Sequence, residues 1–71
     1  MARTTELTQW LGAVRNLGFE CDCSKPDGEY RLHVWLREGG PFQVNFVGTG
    51  AGVVAVLRAI VLGYEAAKRN G

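Results

Sequence analysis

Histidine and cysteine are scarce in this chain, and each shortage removes a class of chemistry. The one histidine, His33, has no second imidazole to share a metal or serve a nucleophile. Two cysteines are too few for the disulfide framework of a small secreted fold. Charge of one sign is lacking as well. Eight basic residues against seven acidic ones leave a net charge of +1, which argues against a bulk electrostatic grip on nucleic acid or anionic membrane. The longest nearly apolar run, Val53 to Leu62, is interrupted by Arg58 and falls short of the roughly twenty residues that cross a bilayer. Met1 to Thr5 leads straight into an amphipathic pattern, with no apolar export signal. These readings predict a soluble, cytoplasmic protein with no membrane partner.

What remains is enough to fold. Hydrophobic residues make up 46% of the 71 and charged residues 21%, an ordinary globular balance. That length allows one domain, spanning 1–71, and a chain so short buries only about 60% of the surface it exposes when unfolded. Its core is marginal.

Leu7, Trp10, Leu11, Val14 and Leu17 recur at helical spacing and predict a helix over about 5–17. Thr4 or Thr5 would cap it, Glu6 suits its first turn, and Gly18 stops it. The period then changes to two. Phe19, Cys21 and Cys23, then Tyr30 to Leu36, then Phe42, Val44 and Phe46 alternate with polar residues, which predicts strands over about 19–23, 30–37 and 42–47. Lys25 to Gly28 and Glu38 to Gly40 carry turn chemistry between them.

Matching apolar faces suggests Cys23 opposite Tyr30, Cys21 opposite Leu32 and Phe19 opposite Val34. It likewise suggests Leu36 opposite Phe42, Val34 opposite Val44 and Leu32 opposite Phe46. On the other face Asp22 would then meet Arg31 and Glu20 would meet His33. A last helix over about 50–69, capped by Thr49, directs Val53, Val56, Leu57, Ile60, Val61, Tyr64 and Ala67 to the core. Gly48, Gly50 and Gly52 give the chain freedom to turn off the sheet. The expected fold is α+β in the order α-β-β-β-α: a three-stranded antiparallel meander with both helices on one face.

Two surfaces stand out on this map. Arg31, His33, Trp35 and Arg37 project from the middle strand on the face away from the helices, flanked by Gln43 and Asn45. Tryptophan and arginine are enriched at binding hot spots, although many antiparallel sheets simply keep one wet face. On the last helix, Ala55, Ala59 and Gly63 recur every four residues beside Leu62, pointing away from the core stripe. Small residues at that spacing let a second backbone come close, which predicts a homodimer; the bland alternative is alanine chosen for helix propensity.

Other candidates fail on detail. Gly48 to Gly52 sits between a strand and a helix, but Val53 breaks the dinucleotide fingerprint and no lysine follows for a phosphate loop. Cys21 and Cys23 share the inward face and read as reduced core thiols. No metal site and no cofactor are expected. No converging pair of acid, base or nucleophile is visible, so no catalytic residues are assigned and the chain is read as not an enzyme.

The order helix, three strands, helix resembles the architecture of double-stranded-RNA-binding domains. In that family a basic cluster opens the last helix, whereas Gly52 to Arg58 here is apolar with one arginine. Its first turn carries a glycine–proline–histidine-like segment, and here the turn reads Lys25-Pro26-Asp27-Gly28. The resemblance therefore implies a fold and carries over no site.

The function expected from these residues is a non-enzymatic, homodimeric protein-interaction module, an accessory or inhibitor protein of the kind many phages and mobile elements encode. It would use Ala55, Ala59, Leu62 and Gly63 for self-association. The Arg31, His33, Trp35, Arg37, Gln43 and Asn45 face would hold a target protein. Nucleic-acid binding through the same arginine–tryptophan face is the alternative.

Overall fold

The computed structural model describes the backbone of residues 4–70 and the side chains of residues 6–69, so the expected Thr4 or Thr5 cap lies outside the described side chains. Helix α1 spans Thr4–Asn16, strands β1, β2 and β3 span Phe19–Ser24, Tyr30–Leu36 and Gln43–Gly48, and helix α2 spans Gly50–Asn70. Each boundary falls within a residue of the expected one. The strands form one antiparallel sheet in the order β1-β2-β3, so the protein is an α+β domain with an open three-stranded meander. Helix α1 rests on β1, α2 rests on β3 and β2, and the helices touch each other.

Local chemistry sets the element ends. Gly18 adopts φ of +105°, a backbone state that an L side chain resists, and this turns the chain from α1 into β1. Thr49 caps α2: its hydroxyl accepts from the Gly52 amide at 3.1 Å and its carbonyl accepts from Val53 at 3.0 Å.

Three glycines at the β3–α2 junction work differently from expectation. None of Gly48, Gly50 and Gly52 has a positive φ. A Cβ at Gly52 would lie 2.5 Å from the Phe46 ring, one at Gly48 would lie 2.8 Å from it, and one at Gly50 would lie 3.1 Å from the Tyr30 ring. Clearance for aromatic rings, rather than backbone freedom, is what those positions supply.

The core lies between the sheet and the helices. Val14, Phe19, Cys21, Leu32, Val34, Val53, Leu57 and Val61 are buried, and Trp10, Leu11, Tyr30, Leu36, Val44 and Phe46 pack around them half-covered. Every inward residue of β2 and β3 is even-numbered, as alternation requires. Val34 meets Val44 and Leu32 meets Phe46, the expected partners; Leu36 and Phe42 lie beyond that ladder. The β1–β2 register differs by two residues: Cys23 pairs with Leu32, Cys21 with Val34 and Phe19 with Leu36. On the outer face Glu20 therefore meets Trp35, Asp22 meets His33 and Ser24 meets Arg31. A slip of two keeps every side chain on its face, so apolar patterning alone does not detect it.

Helix α2 also overruns its support. At about 1.5 Å per residue it is roughly 30 Å long, against about 20 Å for strands of this length. The core stripe consequently closes at Val61. Tyr64 is 36% exposed and meets the Phe19 ring edge-on at 5.8 Å, and Ala67, expected in the core, is exposed.

Candidate functional surface

Alternation on a six- or seven-residue strand places every odd-numbered side chain of β2 and β3 on the face away from both helices. The pairing arranges them in rows: Glu20, Trp35 and Gln43; Asp22, His33 and Asn45; Ser24, Arg31 and Val47. Trp35 and His33 are half-buried, and their rings lie 4.7 Å apart at 38°. His33 Nε2 and Gln43 Oε1 are 3.3 Å apart, a hydrogen bond that ties β2 to β3 across the surface. Arg31 is exposed and reaches back to Asp27 at 3.6 Å, a solvent-screened pair of small energetic worth. Beside it the sheet forms a shallow, open depression bordered by Asp22, Ser24, His33, Asn45 and Val47. Five of the six residues expected on this face, Arg31, His33, Trp35, Gln43 and Asn45, are thus brought together.

Arg37 stands apart. Its guanidinium donates to the main-chain oxygens of Arg15 at 2.8 Å and Phe19 at 3.1 Å, and to Glu20 Oε2 at 3.4 Å. Arg15, in the last turn of α1, donates to Glu20 Oε1 at 3.2 Å and to the Cys21 carbonyl at 3.0 Å. Desolvation would raise the Glu20 pKa, but the Arg15 and Arg37 hydrogen bonds outweigh it and hold the carboxyl below its ordinary range. Two guanidiniums and one carboxylate therefore lock the α1–β1 corner, and the guanidiniums occupy the Phe19 and Cys21 carbonyls of β1.

Val47 is a member that the alternation pattern already contained. It is odd-numbered, 52% exposed, and borders Arg31. The corner formed by Arg15 had only one sequence signal, a basic residue where a helix C-terminus favours positive charge.

The α2 flank is exposed as expected at Ala55, Ala59, Leu62 and Gly63, with Leu62 at 52%. A Cβ at Gly63 would meet nothing within 4 Å. By length and composition Gly50–Arg69 is long and apolar enough to cross a membrane, because alanines and glycines extend the apolar stretch past Arg58, and 17% of it is buried. Val53, Leu57 and Val61 on that same helix close the core over the sheet.

Both cysteines are free thiols, Cys21 buried and Cys23 half-buried, and burial pushes each pKa up. Among the described residues, no group of histidine, cysteine and carboxylate side chains is arranged to hold a metal ion. Comparison with protein-family models, with curated proteins and with solved structures finds no match to this chain.

Proposed function

We propose that the protein is a non-enzymatic interaction module of the cytoplasm, an accessory or inhibitor protein that self-associates and holds a target protein on its outer sheet face. The observation that carries this reading is the Trp35–His33 ring pair, half-exposed at the centre of a polar sheet and flanked by Arg31, Gln43 and Asn45. A large ring with two χ angles buries much area on contact at little entropic cost, and a surrounding polar ring supplies hydrogen bonds. The face is shallow, which suits a protein surface better than a small molecule. Arg37 contributes by fixing the corner beside this face, so the contact set is Arg31, His33, Trp35, Gln43 and Asn45.

Capture from host extract tests this. The tagged wild-type chain, Trp35→Ala and Lys68→Ala are compared after circular dichroism confirms that each is folded. A protein retained by wild type and Lys68→Ala and lost with Trp35→Ala is the expected result. Equal retention by all three removes the sheet face as the contact surface. Steeply salt-dependent binding of mixed RNA or DNA by the purified chain would replace the protein target with a nucleic acid.

A further inference from the structure

The two edges of the sheet are built differently. Arg37 donates its amide to the Gly18 carbonyl at 3.0 Å, which makes Gly18 and Arg37 a hydrogen-bonded pair at the start of the β1–β2 ladder. Alternation then turns the main-chain groups of Phe19, Cys21 and Cys23 outward from β1. The Phe19 and Cys21 carbonyls are occupied by Arg37 and Arg15, and the strand carries Glu20 and Asp22. That edge is blunted by charge and by covered carbonyls, the usual protection against strand addition.

Along β3 the same alternation turns the main-chain groups of Gln43, Asn45 and Val47 outward. Among the described residues, none of these groups takes part in a hydrogen bond outside the strand ladder. The strand, Gln43-Val44-Asn45-Phe46-Val47-Gly48, has no charged residue and no proline.

We propose that β3 pairs antiparallel with β3 of a second copy about a two-fold axis at Asn45, forming a continuous six-stranded sheet. This deepens the self-association part of the proposed function and rests on it. The strand is self-complementary in that register. Asn45 faces its own copy, Gln43 faces the second copy's Val47, and all three open residues pair with one another. On the inner face Val44 meets the second copy's Phe46, extending the half-covered apolar layer. Neutral side chains raise no like-charge cost.

The helix above is shaped for the same neighbour. Gly52 lies against Phe46 of β3, and Ala59 and Gly63, two and three turns further on, share its side of α2. They leave room for the second α2 beside the joined strands, where Val56 and Ile60 are half-exposed.

The test combines sedimentation with amide hydrogen exchange on the full chain, and adds a chemically synthesised full chain N-methylated at Asn45. That amide points to the open edge, so methylation leaves the β2–β3 ladder intact. The expected result is a dimer in which the Gln43, Asn45 and Val47 amides exchange at least ~10-fold more slowly than in dilute monomer. The methylated chain is then folded and monomeric. A dimer whose three amides exchange as open ones, and which survives methylation, overturns the β3 pairing and leaves self-association through another surface. A folded wild-type monomer at every concentration overturns both.

Discussion

The guanidinium of Arg37 donates to the Arg15 carbonyl at 2.8 Å, joining the residue that follows β2 to the last turn of α1. With the Phe19 and Glu20 contacts it makes Arg37 the keystone of the α1–β1 corner. Arg37→Ala is expected to cost about 1–2 kcal/mol in urea unfolding, because hydrogen bonds from a charged group are lost at a partly exposed site. Unchanged stability together with lost target binding would move Arg37 back to the contact face.

Acid should loosen the same corner. The two guanidiniums hold the Glu20 pKa below its ordinary 4.5, so the folded state binds this proton less readily than the unfolded chain. The resulting stability is present above the unfolded value and is lost as pH falls through the lower folded value. Glu20→Gln should flatten stability against pH in that acid window. An identical acid slope in the variant would contradict the corner's electrostatics.

Gly52→Ala and Gly63→Ala should act in opposite directions. Both replacements gain up to about 1 kcal/mol of helix propensity. At Gly52 the new methyl would sit 2.5 Å from Phe46, and overpacking of that kind costs about 1–3 kcal/mol. At Gly63 it meets nothing within 4 Å. Thermal melts of the dilute protein should show Gly52→Ala destabilised and Gly63→Ala stabilised. A stabilised Gly52→Ala would mean that Phe46 yields freely.

Leu32→Asp and Gln43→Asp separate the two faces of the sheet. Leu32 is 2% exposed, so an aspartate there buries an unpaired charge and should abolish folding. Gln43 is exposed, and the same charge there should change stability by no more than about 0.5 kcal/mol. Equal damage in circular dichroism would reverse the assignment of faces.

Much of this architecture was legible in the residues. Alternation from Tyr30 to Phe46 settles which side chains point inward, and the short Glu38 to Gly40 turn brings Val34 to Val44. The β1–β2 register was not legible, because a two-residue slip leaves the faces unchanged and the deciding contacts, Arg37 with Gly18 and Phe19, join residues distant in sequence. The overrun of α2 was hidden for a related reason. Tyr64 and Ala67 continue the apolar period after the sheet beneath has ended. Arg37 shows what parity leaves open: it gives the side of the sheet, but the Arg15 and Phe19 carbonyls decide what the guanidinium touches.

Truncation of Trp35, with Leu57→Ala as reference, tests the contact surface most directly when stability and capture are measured on the same samples. Leu57 is fully buried, and its truncation should cost about 2–5 kcal/mol. Trp35→Ala should cost well under that and stay folded while target capture disappears. A Trp35→Ala variant that unfolds as readily as Leu57→Ala, or that captures as well as wild type, would contradict the account.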